Sequence, residues 1–295
     1  MFVIYALLTF VLWGIADLFY KMGNSDDGKN NHIKTGIIVG IVMGIHATIY
    51  LLVNHIEISI IDVFKYLPVS AMYISSMVIG YKGLKFIELS ISSPVQNTSG
   101  VITTLLLLII FREKLPWLGY VALLLVFIGI LILSMAEVKD TRQERRIMLK
   151  NKGVFLVILF PLIYCVLDGI GTFLDALYLD KFEILSEDVA LVTYEYTFLI
   201  YAMISIIYCA IKKEKITLKA DKEKWLAAIF ETAGQYTYVY ALAENSAITS
   251  TISGSYCVMS FLLAAIILKE KLTKKQYLGI VITLLGVIIL SALNI

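Results

Sequence analysis

The chain of 295 residues is 59% hydrophobic and only 16% charged, and its mean hydropathy is +0.85. Soluble domains average about 45–50% apolar and about 25% charged residues, so this composition excludes a soluble domain and indicates a polytopic membrane protein. The net charge of +2 is too small to suggest a nucleic-acid partner. The three cysteines all lie within apolar runs and predict no disulfide framework.

Ten apolar runs are long enough to cross a bilayer as helices, which takes about 20 residues each. The first run starts without a basic segment or a cleavage site, so we expect a span there rather than a signal peptide. The sequence therefore predicts an all-α integral membrane protein of ten transmembrane helices. The predicted spans are 2–21, 35–54, 66–86, 90–111, 117–136, 153–179, 189–211, 225–243, 247–268 and 275–293.

The two halves of the chain repeat each other. Residues 111–115 read FREKL and residues 268–272 read LKEKL, at an offset of 157 that also aligns glycines and tyrosines of the neighbouring spans. A duplicated set of spans is typical of transporters, whose solute site lies between the two repeats. The predicted division is a first five-span repeat at 1–136, a charged cytoplasmic linker at 137–152 and a second five-span repeat at 153–295.

The basic residues predict the orientation of the spans. The loops after the odd-numbered spans hold 21 of the 25 Lys and Arg residues, and the loops after the even-numbered spans hold the other 4. The positive-inside rule then predicts cytoplasmic odd loops and both termini outside the cell membrane. Because each half has an odd number of spans, the halves must be inserted in opposite directions, which makes the repeat an inverted one.

These features resemble the drug/metabolite transporter superfamily, in its ten-span EamA-like branch. The resemblance rests on Trp13-Gly14 with Lys21 ending span 1, and on the paired Glu-Lys-Leu turns that begin at Glu113 and Glu270. It implies secondary transport of small metabolites by alternating access, through a central cavity lined by spans 1–4 and 6–9. Members of the family usually have cytoplasmic termini, the opposite of what the charges predict here. Their solutes include amino acids, drugs, nucleotide sugars and choline-like compounds, so the resemblance chooses none of these.

Ionisable residues inside spans are the strongest functional signal. A charge at the bilayer centre costs about 2.5–3.5 kcal/mol on insertion scales, so such a residue usually faces a cavity or a partner. Counted along the helices, Asp17 and Glu231 fall toward the cytoplasm and Asp168 and Glu195 toward the outside, with His46 near the middle. We therefore expect a ladder of carboxylates across the membrane.

Aromatic and polar residues share helix faces with these carboxylates, at spacings of three, four and seven. A carboxylate beside aromatic faces is a common way to hold an ammonium or guanidinium group. The predicted solute-binding residues are Trp13, Asp17, Tyr164, Asp168, Glu195, Glu231, Gln235 and Tyr238. The candidates for proton coupling are Glu231, Asp168, Glu195 and His46.

Simpler interpretations stay open for some of these residues. Asp17 could pair with Lys21, one turn further along span 1. Asp175 is expected to be a wet residue near the end of span 6, and His46 could simply bond a neighbouring helix. The small residues that open spans 4 and 9 favour close helix packing, although the polar segment 96–97 could reach the cavity.

The predicted function is secondary transport of a small organic cation, such as a choline-like amine, a polyamine, a guanidinium compound or a cationic drug, with protons as a coupling ion. The alternative is the same fold carrying amino acids or other neutral or zwitterionic metabolites. An enzyme is not predicted, because the three histidines lie in the first fifth of the chain and no metal-ligand set is present. No cofactor is expected. A monomer in the lipid bilayer suffices, since two fused repeats already form the pseudo-dimer.

Overall fold

The computed structural model describes residues 1–23, 31–83, 98–112, 114–140, 154–213 and 221–293, and their regular structure is entirely helical. Helices are numbered here by span, and the ninth span is broken into two pieces. The helices are α1 Phe2–Gly23, α2 Asn31–Asn54, α3 Ile60–Gly83, α4 Ser99–Ile110, α5 Trp117–Asp140, α6 Val154–Ala176, α7 Glu187–Ile211, α8 Lys222–Glu244, α9a Ser246–Gly254, α9b Cys257–Ile267 and α10 Lys274–Ala292.

Seven of the described helical segments are long and apolar enough to span a membrane, with α9a and α9b counted together, and α4 and α5 supply shorter apolar helices. This confirms the predicted all-α membrane fold. Helix α8 is as long as the others but carries more polar residues, and it packs among α1, α2, α7 and α9a. A polar helix surrounded by other helices points to an internal cavity rather than to lipid.

Helix α3 begins at Ile60, six residues before the predicted start at 66. Its first turn is polar, because the carboxylate of Asp62 accepts hydrogen bonds from the backbone N–H and the hydroxyl of Ser59 at 3.1 and 2.8 Å. Such a cap starts a helix in the interfacial region, ahead of its apolar run. The predicted start of span 4 lies outside the described residues.

Each helix of the first half packs against one helix of the second half: α1 on α8, α2 on α7, α3 on α6, α4 on α9a and α5 on α10. The partners are antiparallel; in the α2–α7 pair, for example, Gly36 faces Tyr201 and His46 faces Glu195. Exchanging the two halves maps this set of pairs onto itself. A two-fold axis that exchanges antiparallel partners such as α2 and α7 lies across the helices, in the membrane plane. The predicted inverted repeat is confirmed.

Small residues let these paired helices approach closely, as expected inside a membrane. A Cβ at Gly40 would overlap the carbonyl of Phe198 and come within 2.7 Å of the Ala202 Cβ, so α2 lies directly on the backbone of α7. Gly129 of α5 likewise leaves room for Thr283 of α10. Helix α5 packs chiefly on α10, in agreement with the peripheral position that the family resemblance implied.

Two irregular segments interrupt the second half. Span 9 breaks between Gly254 and Cys257, where the Ser255 hydroxyl bonds the carbonyl of Ile252 at 2.7 Å. Helix α6 continues past Ala176 as a π-helical turn, Leu177–Lys181. Broken helices and π turns at membrane depth are tolerated where they are enclosed by protein or line a cavity, and both are frequent at functional sites.

Candidate solute-binding site

A cavity of about 110 Å³ lies between the two halves, among α1, α3, α4, α6, α7, α8 and α9a. Its walls combine acidic, aromatic and small residues. The structure brings seven of the eight predicted binding residues to this one cavity. They are Trp13, Asp17, Tyr164, Asp168, Glu231, Gln235 and Tyr238.

Two of the cavity walls are related by the repeat. Trp13 and Asp17 of α1 align with Tyr164 and Asp168 of α6, and all four line the cavity. The pseudo-two-fold axis therefore passes through or close to the cavity. A site on this axis presents similar chemistry to the two faces of the membrane.

Three carboxylates share the cavity: Asp17, Asp168 and Glu231. Asp17 and Asp168 both act electrostatically on Glu231. The three carboxylates therefore form one acidic cluster between the two halves of the chain. None of the described residues that line the cavity is Lys, Arg or His, so these residues give the site a negative charge.

Asp168 is held in place by its neighbours. It accepts hydrogen bonds from the Ser99 hydroxyl of α4 at 2.7 Å, from the Ser76 hydroxyl of α3 at 3.5 Å, and from the hydroxyl of Tyr164 one turn away on its own helix. A carboxylate with three donors is fixed in direction, and its roughly four lone-pair sites leave room for a further partner. Asp168 can therefore bind a solute without reorienting.

Glu231 and Gln235 lie one turn apart on α8 and have unused hydrogen-bonding capacity. The carboxylate of Glu231 accepts no hydrogen bond from the described residues. Gln235 is only 2% exposed, and its side-chain nitrogen has no partner in the described part of the chain. Buried polar atoms are nearly always satisfied, so unsatisfied ones at a cavity mark a place for a ligand or water.

An aromatic wall faces these polar groups. The ring of Trp13 lies 4.9 Å from that of Tyr238 and meets Tyr256 edge-on at 6.0 Å, centroid to centroid. The Trp13 indole nitrogen donates to the backbone carbonyl of Glu231 at 3.3 Å, which fixes the ring. Gly234 leaves the space that the indole occupies, since any Cβ there would overlap it.

Further tyrosines complete the wall, and they were not among the predicted binding residues. Tyr73 and Tyr194 meet edge-on at 5.7 Å, and Tyr20 lies on the α1 side of the cavity. The chain has 18 tyrosines. Because many were expected at the membrane interfaces, abundance alone could not single out these three.

Glu195 is the one predicted binding residue that does not line the cavity. It is completely buried between α2 and α7, where it bonds His46 Nδ1 at 2.8 Å. Tyr50 stacks on the His46 ring at 5.7 Å between centroids. His46 therefore bonds a neighbouring helix, and its partner there is another of the predicted coupling residues.

Two other residues differ from expectation. Asp175 was expected to be wet, which is wrong: it is completely buried, because the π turn carries α6 beyond it and Tyr66 of α3 covers it. Lys21 forms an ion pair with Glu270 of the second Glu-Lys-Leu turn at 3.0 Å, joining α1 to the end of α9b. Residues 96–97 lie outside the described residues.

Within the described ranges, no group of three or more His, Cys, Asp and Glu side chains is arranged to hold a metal ion. The three cavity carboxylates are therefore not accompanied by further ligands of that kind.

Comparisons with known proteins agree with this architecture. The sequence profile of the EamA-like transporter family matches residues 1–135 and 152–292, which together make up nearly the whole chain. No curated protein matches the sequence. A solved structure, described only as the crystal structure of a protein, is 13% identical and covers 95% of each chain with a TM-score of 0.66. At that identity the likeness shows the fold alone.

Proposed function

Because the chain belongs to the EamA-like transporter family, we propose that this membrane transporter carries a small organic cation through the cavity between its two halves. The observation that carries the proposal is the pairing of Glu231, whose carboxylate accepts no bond from the described residues, with a wall of aromatic rings. The carboxylates of Asp17 and Asp168 strengthen the same preference.

Electrostatics favour a cation strongly. A positive group 4 Å from one carboxylate gains about 4 kcal/mol at an effective dielectric constant of 20. Asp17 and Asp168 add to this attraction, and they would repel an anion by similar amounts. A sugar phosphate would need a basic residue, and the described lining offers none.

The size of the cavity favours a compact solute. Pockets for drug-sized ligands measure about 300–1,000 Å³, whereas this one measures about 110 Å³. A choline-like amine or a small guanidinium compound matches that volume better than a polyamine or a drug. Trp13 and Tyr238 would contact its alkyl or planar face, and Glu231 its charge.

Alternating access follows from the symmetry of the site. When one half rocks against the other, the equivalent residues Asp17 and Asp168 exchange surroundings, so the cavity can open to either face without a new site. Competition between the solute and a proton for Glu231 or Asp168 is one form of coupling that this cavity permits. Of the four predicted coupling residues these two line the cavity, whereas Glu195 and His46 bond each other outside it.

A second candidate, transport of an amino acid, is favoured by one observation. The side-chain nitrogen of Gln235 has no partner among the described residues and is a donor that could bind a carboxylate. Glu231, one turn away, could bind the amine of the same solute. A zwitterion would then lie along α8. The two candidate functions differ in one requirement. An amino acid would need its own carboxylate to bind Gln235, whereas a simple cation would bind without one.

Thermal stability of the purified protein in detergent tests both candidates. The panel contains quaternary amines, guanidinium compounds, neutral amino acids with their decarboxylated amines, and sugar phosphates. Stabilisation by amines that is absent in Glu231→Gln and Asp168→Asn supports a cation transporter. Stabilisation by amino acids but not by their amines, lost in Gln235→Leu, supports the second candidate. Stabilisation by phosphates alone contradicts both.

A further inference from the structure

A buried acid, Asp175, lies directly behind the wall of the cavity. It is 0% exposed, and it does not line the cavity. Its two oxygens accept hydrogen bonds from tyrosine hydroxyls of α3: Tyr66, fully buried, bonds one oxygen, and Tyr73 bonds the other at 3.4 Å. The prediction from sequence placed this acid in water and gave it no role.

The surroundings of Asp175 contain no compensating positive charge in the described part of the chain. Helix α3 presents Tyr66 and Tyr73, helix α7 presents Tyr194, and helix α8 presents Tyr238. Two turns earlier on α6 lies another acid, Asp168, which also acts on three of these tyrosines, Tyr73, Tyr194 and Tyr238. A buried carboxylate with only neutral donors pays a large desolvation cost, and binding a proton removes that cost.

A chain of hydroxyl groups connects Asp175 with the cavity. The Tyr73 hydroxyl lies 3.4 Å from Asp175 Oδ2, 3.3 Å from the Tyr238 hydroxyl and 3.0 Å from Thr172 Oγ1. Tyr73, Thr172 and Tyr238 all line the cavity. Because Tyr73 carries a single hydroxyl proton, its bonds to Thr172 and to Asp175 are alternatives that a rotation of the hydroxyl interconverts.

This arrangement does not follow from the duplication. With the offset of 151 that aligns Asp17 with Asp168, the position equivalent to Asp175 is Asn24, which is not an acid. With the offset of 157, the positions equivalent to Tyr66 and Tyr73 are Glu223 and Phe230. The acid and its tyrosines therefore occur in one half only, so the duplication of the chain does not account for them.

We propose that Asp175 is a proton-binding site of this transporter, reached from the cavity through the hydroxyls of Tyr73 and Tyr238. In the transfer, Tyr73 gives its hydroxyl proton to Asp175 Oδ2 and receives the proton of Tyr238, which takes one in turn from a hydronium ion in the cavity and leaves a water molecule. One O–H bond forms and one breaks at each step, so both tyrosines end neutral. The proposal rests on the proposed transport function, and it adds a proton site distinct from the carboxylates that hold the solute.

The separation of the two sites has a mechanistic consequence. If Glu231 held the proton, proton and solute would compete for one group. With the proton on Asp175, protonation instead changes the field at the cavity through Tyr238, and the solute keeps its own carboxylates. Loss of Asp175 should therefore remove the coupling to a pH gradient and leave binding in place.

The first test needs no solute. Infrared difference spectra of the protein between acidic and alkaline pH record the protonated carboxyl groups. Asp175→Asn should remove one titrating carboxyl band, whereas Asp188→Asn should leave that band in place. Asp188 is a matched control, because it too is bonded by two tyrosines, Tyr50 and Tyr240, but is only partly buried and lies apart from the cavity. Identical spectra for Asp175→Asn and the wild type would overturn the proposal, whatever the solute is.

The second test uses proteoliposomes and the cation found to bind the wild type. Asp175→Asn should bind the cation within about threefold of the wild-type affinity, and it should still exchange the cation when the pH is equal on both sides. It should no longer accumulate the cation when a pH gradient is applied. Accumulation equal to the wild type would overturn the proposal without touching the proposed function. Failure of every cation to bind the wild type would instead reject the function, and the infrared result would still decide the proton site.

A third variant covers the case in which Asp175→Asn does not fold. Tyr66→Phe removes one donor to the charged carboxylate and keeps the ring, so the ionised form of Asp175 is stabilised less. The infrared band should then titrate at a higher pH than in the wild type. An unchanged titration in Tyr66→Phe would overturn the proposal. Tyr66 does not line the cavity, so solute binding should stay intact.

Discussion

Replacing Glu231 with glutamine should weaken the binding of a small cation by about 10- to 100-fold. The carboxylate accepts no bond from the described residues, so its full hydrogen-bonding capacity is open to a solute. Hydrogen bonds to charged groups contribute about 1.5–3 kcal/mol, and each 1.4 kcal/mol is a factor of ten in affinity. Binding should not vanish, because Asp17 and Asp168 remain in the cavity.

The assay is the rise in thermal stability with solute concentration. A ligand at 100 times its dissociation constant stabilises the folded protein by about 2.7 kcal/mol. At the same concentration, a variant that binds tenfold more weakly gains about 1.4 kcal/mol, and one that binds a hundredfold more weakly gains about 0.4 kcal/mol. These steps are large enough to separate the variants.

A matched control lies on the same helix. Glu244 ends α8 outside the cavity and accepts hydrogen bonds from the amino terminus and from the backbone N–H of Phe2. Glutamine can still accept those bonds, and an exposed ion pair is worth about 0–1 kcal/mol. Glu244→Gln should therefore bind the cation like the wild type.

Equal cation binding by Glu231→Gln and the wild type would refute the reasoning, because the open carboxylate would then have no part in recognition. A second readout is independent of the solute. Glutamine removes one of three neighbouring negative charges, so the ligand-free variant should be more stable than the wild type. Lower stability would contradict the mutual repulsion of the three carboxylates.

Three further predictions test the packing and the orientation. Gly234→Ala should weaken cation binding several-fold without unfolding the protein, since its methyl group would approach Trp13 Nε1 to 2.6 Å and displace the ring; unchanged binding would remove Trp13 from the site. Gly40→Leu should lower the thermal stability by separating α2 from α7, by more than about 1–3 kcal/mol, and a melting temperature equal to that of the wild type would contradict the close packing. In intact cells, an impermeant maleimide should label Glu57→Cys but not Lys213→Cys, because the charge bias places the loop after span 2 outside; the reverse pattern would put the termini in the cytoplasm. The native cysteines are buried and should stay unlabelled.

The architecture was predictable because it depends on properties that the sequence displays directly. The chain has ten apolar runs, five in each half, and the two halves repeat at a constant offset. Because five is an odd number, these features are sufficient to predict an inverted repeat. The aligned pair of Asp17 and Asp168 was visible in the same way, and both residues line the cavity. Periodicity also placed Glu231, Gln235 and Tyr238 on one face of α8, and that face meets the cavity.

The errors concerned how deeply a side chain is buried and which residue it bonds, since a single sequence records neither. Counting residues from the end of span 6 placed Asp175 at the membrane surface, but a π turn extends α6 and Tyr66 covers the acid. Glu195 shared the signal of the cavity residues, an acid inside a span, yet it lies against α2, where His46 binds it. Whether a side chain lies at the cavity or against a neighbouring helix depends on the packing of helices that are distant in the sequence.

The acids of this transporter fall into two classes, and the difference bears on the mechanism. Asp17 and Asp168 are equivalent under the repeat, so a cation meets the same charge whichever face is open. Glu231 aligns with Ile74 and Asp175 with Asn24, so these two acids have no acidic counterpart. A perfectly symmetric protein would treat inward and outward transport alike. On the proposed mechanism, the unpaired acids make the two states unequal: Glu231 holds the solute on α8, and Asp175 stores a proton on α6. The two-fold frame lets the cavity alternate, and its departures from symmetry make the inward-facing and outward-facing states differ in energy.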